Sequence, residues 1–398
     1  MQGCGDMRIG SSVRGLCFLI AGAIYLAPAS LPAQSAANGP GAPPPDMTVA
    51  MAQYRRALEA YNEAQRVYAA VAVAYWRSIT EKRQSRNAKR SRGEPLSIDD
   101  YVLDQPPVYT GPPKPRNPLQ PEAPPRAYVP VVADFLSAAR REFKFEPRLP
   151  QTDGEFKRAY APVAAAAGLG RDQVVRIYAF EATGNGSYDV EAGLEYNKHG
   201  RAITTALGYN QLLATNSVEI VAESGNQFVT ALRAKAALLP DGGMRGLNAK
   251  IEILGRMIGF ARSVPDAWDQ HEILANTPKG LAVHALNLDL DLGPLLQTQK
   301  LLDSVLFARR KGFTAPLSAA ELEMMNLTGD GNGFDMVTMP QAWRGKVPTA
   351  NFFHPSGYAD NPVAQRNNGV AKLIAATDAR MDEESNKPGA RELAAAFR

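Results

Sequence analysis

The chain has 398 residues and a formal net charge of +4, so it is long enough for one or two domains of ordinary size and is weakly basic. So small an excess of positive charge excludes the electrostatic signature of a nucleic-acid-binding protein, but it suits contact with an anionic wall or lipid surface. Both cysteines, Cys4 and Cys17, lie near the N-terminus, and the 4 histidines are scattered without ligand spacing. We therefore expect no catalytic thiol, no metal site and no cofactor.

Residues 1–33 have the three-part layout of a secretory signal peptide. Arg8 and Arg14 give a positively charged start, an uninterrupted apolar run covers residues 16–26, and small residues follow. Cleavage is expected after Ala29, Ala33 or Ser35. The apolar run is shorter than a comfortable membrane span, and an uncleaved anchor is the alternative. The leader therefore predicts export to the periplasm or cell envelope.

Residues 34–104 are predicted to form an N-terminal helical segment, with one long helix over roughly 47–84. Four tyrosines recur every seven residues along this helix, which places them on one face. These are Tyr54, Tyr61, Tyr68 and Tyr75. Such a stripe indicates packing against another part of the same protein, a partner protein or a second copy of the chain.

A basic run and a proline-rich stretch follow the predicted helix. The run contains no acidic residue and consists of Lys82, Arg83, Arg86, Lys89, Arg90 and Arg92 with uncharged neighbours. It is typical of a solvated helix end, and contact with an anionic envelope surface is the sharper alternative. Ten prolines between Pro106 and Pro130 preclude a helix and predict an extended linker or strap over residues 105–130.

The domain predicted for residues 131–398 is mainly α. Helical patterns occupy about 131–142, 153–166, 171–182, 216–237, 245–263, 294–311 and 318–326. Alternating β-type patterns are nearly absent, so any sheet is expected to be a small β-hairpin or loop region within 183–205. The predicted architecture is thus a long N-terminal helix, a proline-rich linker and a mainly helical domain.

Glu181 is the main candidate for a catalytic residue. Val174, Ile177, Tyr178 and Glu181 fall at positions i, i+3, i+4 and i+7, so they share one face of the predicted helix. A carboxyl that ends an apolar stripe near the negative end of the helix dipole should have a raised pKa. Protonated, it can act as a general acid on a glycosidic bond, although a Glu side chain that turns to solvent fits the same spacing.

Two further segments accompany Glu181 in chain order. Residues 208–211 read Gly-Tyr-Asn-Gln and precede a predicted helix, and residues 318–321 form a capping box that starts a short helix ending before Gly329. With Glu181 they resemble the motifs of lysozyme-like lytic transglycosylases of the soluble-lytic-transglycosylase type. The resemblance covers about residues 170–337 and includes the Met-Met-Asn segment at 324–326.

This resemblance implies a lysozyme-like fold and cleavage of the MurNAc–GlcNAc bond in peptidoglycan glycan strands. A single Glu, here Glu181, would serve first as acid and then as base, while the muramic acid 6-hydroxyl attacks in place of water and gives a 1,6-anhydro product. The substrate contacts that the family motifs imply fall on Gly208, Tyr209, Asn210, Gln211 and Asn326. The expected partner is therefore the glycan strand, and no cofactor takes part.

The sequence departs from the family pattern beside two of the motifs. Ala182 follows the Glu where the family usually has Ser, and Met325 stands where a family Tyr normally hydrogen-bonds the catalytic Glu. Residues 238–290 correspond to an insertion. These departures keep a second function open, a non-catalytic peptidoglycan-binding or envelope scaffold protein that retains the lysozyme-like fold.

Two groups of acidic residues have competing interpretations. Residues 330–335 place oxygen ligands at alternate positions, as at the start of a calcium loop, but lack the Glu that closes one, so a plain turn is predicted. Asp189, Glu191 or Glu195 could supply the second carboxylate that a hydrolytic glycosidase needs. As ordinary loop surface charges they would have no such role.

Overall fold

The computed structural model describes residues 47–120, 127–182, 202 and 204–397. Over these ranges the protein is mainly α, as the sequence predicted, and its one β-type pairing is an antiparallel bridge between Leu207 and Leu212. The chain divides into two compact units. The smaller contains the described residues up to Ala127 together with Lys346–Asn351, and the larger contains Tyr128–Gly345 and the chain from Phe352 onwards. The expected signal peptide and most of the expected hairpin region lie outside the described residues.

Helix α1 (Met47–Ser91) forms most of the smaller unit and is followed by a 3-10 turn at Ile98–Asp100. The prediction that this helix ends near residue 84 was wrong, because the helix continues through the basic run. Arg86 is fully buried, donates to the carbonyl of Asp100 at 3.0 Å and lies 4.4 Å from the centre of the Tyr101 ring. Lys89 Nζ lies 2.6 Å from a carboxylate oxygen of Asp100. Part of the basic run is therefore neutralised and packed within this unit.

The start of the proline-rich stretch lies along the tyrosine stripe of α1. The Tyr109 ring makes edge-to-face contacts with Tyr61 and Tyr68, with ring centres 6.1 and 5.5 Å away. The Tyr75 hydroxyl donates to the carbonyl of Asp104 at 3.1 Å. Residues of the same chain thus pack against part of the tyrosine stripe. Binding of a partner protein or of a second copy to the stripe stays a prediction.

The larger unit contains the remaining helices. They are α2 (Val132–Phe143), α3 (Asp153–Ala166), α4 (Arg171–Glu181), α5 (Ala214–Ala236), α6 (Asp241–Ala261), α7 (Trp268–Ala275), α8 (Pro278–His284), α9 (Gly293–Arg310), α10 (Ala319–Thr328), α11 (Asp330–Val337), α12 (Gln341–Arg344), α13 (Pro355–Ala359), α14 (Pro362–Arg366), α15 (Val370–Glu384) and α16 (Pro388–Ala396). A further 3-10 turn covers Ala285–Leu288. The 3-10 turn at Thr349–Phe352 lies mostly in the residues assigned to the smaller unit. The seven helices predicted between residues 131 and 326 are all present, with ends that differ by at most four residues.

Two groups of helices in this unit meet at α9. Helix α5 packs against α6, α7 and α8 on one side, whereas α4 packs against α3, α10, α15 and α16 on the other. Helix α9 contacts α3, α5, α10 and α11. The core between them is apolar, and each fully buried Val, Leu or Phe side chain contributes about 1.5–3 kcal/mol. This arrangement brings the end of α4 close to α9 and α10.

One expectation about the C-terminal part was wrong. Residues 330–335 form the start of α11 rather than a turn, because Gly329 (φ 80°) ends α10 and the chain resumes a helix at once. Gly333 permits the close approach of α11 to α10, since a Cβ there would come 2.3 Å from Met325 Cα. The five helices after residue 340 were not predicted.

Every helix in the described ranges is too short or too polar to cross a membrane.

Candidate active site

Glu181 is the last residue of α4 and is held there by the apolar stripe that precedes it. Val174, Ile177 and Tyr178 are each fully buried, in agreement with their predicted common face. Ala182, also buried, ends the helix by donating its backbone N–H to the carbonyl of Tyr178 at 2.8 Å. The Glu181 side chain is half-buried. Residues 183–201, which include the three acidic residues considered for a hydrolytic mechanism, lie outside the described part of the chain.

The Glu181 carboxyl is in contact with two side chains of α10. Asn326 Nδ2 donates to Glu181 Oε1 at 3.1 Å, although the two residues are 145 positions apart in sequence. The second contact is a hydrogen bond with the Glu323 carboxyl. Of the sequence-predicted residues, the structure therefore brings Glu181 and Asn326 together.

Burial raises the pKa of Glu181 from 4.5 to about 7. The hydrogen bond with Glu323, the positive charge of Lys300 and the hydrogen bond with Asn326 act in the opposite direction, but do not cancel the effect of burial. A carboxyl with this pKa holds its proton in a large fraction of molecules at neutral pH. It can therefore give up a proton and take one back near neutrality, which is the requirement for a general acid/base.

The raised pKa of Glu181 predicts a pH-dependent stability difference between the wild type and Glu181→Gln. Folding favours the protonated carboxyl, so its contribution to the free energy of unfolding is complete below pH 4.5 and decreases as pH rises towards 7. Above pH 7 the contribution does not change further. We expect the wild type to lose unfolding free energy relative to the variant across this window. Urea unfolding of both proteins at pH 4 and pH 8 measures the difference. A gap that is the same at both pH values would contradict the raised pKa.

A small depression of about 50 Å³, open to solvent, lies beside these residues. One face of α5 forms a wall, with Asn216, Glu219, Ile220 and Glu223 at positions i, i+3, i+4 and i+7. The other lining residues come from α7, α9, α10 and the α10–α11 junction: Trp268, Lys300, Asp303, Ser304, Met325, Asn326, Gly329 and Asp330. Charged and amide groups surround one indole ring, so the depression offers hydrogen-bonding groups beside an aromatic face.

Asn326 and Lys300 connect this depression with the carboxyl at the end of α4. Both line the depression, and both act on Glu181, Asn326 through its hydrogen bond and Lys300 through its charge. A ligand in the depression would therefore lie next to one group that hydrogen-bonds Glu181 and another whose charge acts on it.

The predicted substrate-contact segment, residues 208–211, forms a tight turn closed by the bridge between Leu207 and Leu212. Tyr209 is fully buried and its hydroxyl donates to Asp153 Oδ1 at 2.7 Å. Asn210 is also buried, and its Nδ2 donates to the carbonyl of Gln297 at 2.7 Å. Tyr209 and Asn210 thus have structural partners, and a direct contact with substrate stays a prediction for the whole segment.

Backbone geometry explains the glycine at position 208. Gly208 has φ 83° and Gln211 has φ 45°. The side-chain amide of Gln211 donates from Nε2 to the Gly208 carbonyl at 2.7 Å. A Cβ at Gly208 would come 2.2 Å from Gln297 Nε2. Gln297 has little freedom to move, because it is fully buried and its Nε2 donates to Asn287 Oδ1 at 2.8 Å.

Gly208→Ala should therefore destabilise the protein. The left-handed backbone costs a non-glycine residue about 1–2 kcal/mol, and displacing Gln297 adds about 1–3 kcal/mol for the buried polar groups that lose partners. Gly255→Ala is the matched control, because it lies inside α6 with open space around its Cβ position. Chemical denaturation should show a clear loss for Gly208→Ala and none for Gly255→Ala. Equal stability of the two variants would contradict this account of the turn.

A buried polar network around His284 connects α5 and α8 with Thr205, just before the turn. His284 Nδ1 lies 2.8 Å from Ser217 Oγ, and His284 Nε2 lies 2.7 Å from the carbonyl of Thr205. Burial lowers the pKa of His284 to about 4, so the ring is neutral and donates through Nε2. Ser217 Oγ in turn accepts from Asn287 Nδ2 at 2.8 Å. This histidine is accordingly a structural residue.

Sequence reasoning missed Glu323, Lys300 and the face of α5. A signal for Glu323 existed, since it stands between the apolar residues Leu322 and Met324 and precedes Asn326 by three positions. Lys300 and the α5 face had none, because their role depends on helix packing over long sequence distances.

No protein family, no curated protein and no solved structure matches the chain. Within the described ranges, no group of three or more His, Cys, Asp or Glu side chains is arranged to hold a metal ion. The function is therefore inferred from the residues of the site and from the motif resemblance.

Proposed function

We propose that the protein is a lytic-transglycosylase-like enzyme that cleaves the MurNAc–GlcNAc bond of peptidoglycan, with Glu181 as its general acid/base. The observation that supports this most strongly is the Glu181 carboxyl itself, which has a pKa of about 7 and contacts Asn326 at the wall of a polar depression. A proton donor and acceptor near neutrality is what the single-residue mechanism requires.

In the proposed reaction the protonated Glu181 gives its proton to the glycosidic oxygen as the bond from that oxygen to C1 of MurNAc breaks. The resulting carboxylate then removes the proton of the muramic acid 6-hydroxyl, whose oxygen forms a bond to C1. The products are a 1,6-anhydro sugar and a glycan end with a free hydroxyl, and Glu181 is again protonated. No water is consumed, so one carboxyl suffices where a hydrolase would need two.

The hydrogen bond from Asn326 to Glu181 is relevant to Met325, which departs from the family pattern. Where the family has a Tyr that hydrogen-bonds the catalytic Glu, this chain has a methionine, which cannot donate such a bond. The next residue, Asn326, supplies a hydrogen bond to Glu181 at 3.1 Å. The missing hydroxyl is therefore compatible with a catalytic Glu181, because a neighbouring amide orients the same carboxyl.

The alternative is a wall-binding or envelope scaffold protein without catalysis. It is favoured by Ala182, whose side chain is buried and offers no hydroxyl to a substrate. Under either function we place the protein in the periplasm or cell envelope, where its mild positive charge suits an anionic surface. The tyrosine stripe of α1 is a proposed site for a protein partner or for self-association.

Sedimentation with purified sacculi separates the two functions. The leader-free protein is incubated with intact sacculi, and both bound protein and released glycan fragments are quantified over time. The enzyme predicts release of soluble fragments that increases with incubation time. The scaffold predicts protein in the pellet with no fragments in the supernatant.

A further inference from the structure

Glu323 occupies an unusual place for an acidic side chain. It lies in the middle of α10 between Leu322 and Met324, and its side chain is fully buried. Asn326 follows three positions later, so the two residues lie on the same side of the helix. Because Asn326 donates to Glu181, this side of α10 faces the end of α4.

The hydrogen bond between Glu323 and Glu181 restricts their protonation. An ionised carboxylate has acceptor atoms and no donor, so two carboxyl groups can share a hydrogen bond only when one of them holds a proton. Two ionised carboxylates in contact inside the protein would repel each other strongly. The pair therefore contains at least one proton whenever the contact is made.

The surroundings of the two carboxyls differ in a way that identifies the donor. Glu181 is half-buried, and its ionised form is stabilised by the Asn326 amide and by the charge of Lys300. Glu323 is fully buried, and burial disfavours a charged carboxylate. The proton of the shared hydrogen bond should therefore reside on Glu323.

Several other charged groups on the packed helices have partners of their own or lie at the depression. On α3, Lys157 is paired with Asp153 and Glu392 of α16. On α15, Arg380 lies 5.8 Å from the Phe180 ring. The remaining ionisable groups of α9 and α11 near the site are Asp303 at the depression, Asp330, which accepts from Ser304 Oγ at 2.6 Å, and the buried Asp335.

We propose that Glu323 is a positioning residue that stays protonated through the neutral range and donates its proton in a hydrogen bond to Glu181. This bond orients the Glu181 carboxyl and stabilises the carboxylate that forms when Glu181 gives its proton to a substrate. Glu323 keeps its own proton throughout, so the proton balance of the proposed reaction is unchanged. The catalytic role of Glu181 rests on the proposed function, whereas the carboxyl pair itself does not.

Titration of the carboxyl carbons by NMR tests the pair without any substrate. Protein labelled with carbon-13 at the Glu carboxyl is compared as wild type, Glu181→Gln, Glu323→Gln and Glu323→Leu. In Glu323→Gln the amide still donates, so the Glu181 midpoint should stay within a few tenths of a pH unit. In Glu323→Leu the donor is lost, and the midpoint should rise by about 1 pH unit.

Two results would overturn the proposal. A fall of the Glu181 midpoint by about 1 pH unit or more in Glu323→Gln would mean that Glu323 is ionised and had been repelling Glu181. An unchanged midpoint in Glu323→Leu would mean that no hydrogen bond exists. Glu181→Gln gives an answer even if the Glu323 variants fail to fold, because it should retain one Glu carboxyl that remains protonated at pH 7. Complete ionisation of every Glu in that variant would equally contradict the proposal.

Sacculus cleavage by the same proteins distinguishes failure of the pair from failure of the proposed function. If the wild type cleaves, the alkaline limb of its pH profile should move to higher pH in Glu323→Leu and stay in place in Glu323→Gln. If no protein cleaves while the NMR midpoints behave as expected, the enzyme proposal is wrong and the carboxyl pair stands. Cleavage with an unshifted limb in Glu323→Leu would count against the pair.

Discussion

Glu181→Gln should reduce the release of soluble fragments from purified sacculi to the background of a protein-free incubation. The amide has the size of the carboxyl and can still pair with Asn326, but it cannot give up a proton. General acid/base catalysis contributes about 10²- to 10⁴-fold, so the loss should be at least 100-fold. Reverse-phase chromatography of the supernatant measures the release.

The control for this variant is Glu272→Gln, which makes the same chemical change at an exposed position on α7. It should retain wild-type release. Glu181→Gln should remain folded and, at pH 8, be at least as stable as the wild type, since it lacks a half-buried carboxylate. A well-folded Glu181→Gln protein that cleaves as fast as the control would exclude Glu181 as the acid/base.

The largest stability effect is expected for Lys157→Met. Lys157 is fully buried on α3, where it pairs with Asp153 and, at 2.9 Å, with Glu392 of α16. Asp153 also accepts from the Tyr209 hydroxyl, so the cluster ties the 208–211 turn to both helices. Methionine fills much of the space but leaves a buried carboxylate without its cation, which costs about 3–5 kcal/mol.

Lys372→Met on α15 is the matched control, because Lys372 is exposed and its replacement should change the unfolding free energy by less than about 0.5 kcal/mol. Adding Asp153→Asn to Lys157→Met should recover part of the loss, since the uncompensated charge is removed. Urea denaturation followed by circular dichroism measures all three proteins. No recovery in the double variant would show that lost packing, rather than the buried charge, causes the effect.

The helices around the site could be predicted because their sequences carry local signals. Helix α4 has its apolar stripe, and α10 begins with a capping box in which Ser318 Oγ accepts from the Glu321 backbone at 3.2 Å and Glu321 accepts from the Ser318 backbone at 3.0 Å. The start of α5 was predicted at residue 216, whereas the helix begins at Ala214 and Asn216, its third residue, accepts from the Leu213 N–H at 3.0 Å. A short polar side chain serves at either position, so its type alone does not fix the boundary.

The remaining differences come from contacts between distant parts of the chain. Residues 330–335 have the composition of a turn, yet they form a helix because Gly333 fits against the backbone of α10. Three of the five helices after residue 340 begin at Pro355, Pro362 and Pro388, and their apolar patterns are too brief to detect. The pairing of Glu181 with Glu323 likewise depends on how α4 packs against α10, which no local pattern specifies.

In the proposed function, Glu181 promotes cleavage of glycan strands by internal attack of the muramic acid 6-hydroxyl. This chemistry can be tested by mass spectrometry of the soluble products from sacculi incubated with the leader-free wild type, with Glu181→Gln in parallel. We expect 1,6-anhydro-muropeptides from the wild type, each lighter than its hydrolysed counterpart by one water, and none from the variant. Products with free reducing ends would contradict the proposed chemistry, and the absence of any soluble product from wild-type protein that binds sacculi would contradict catalysis altogether.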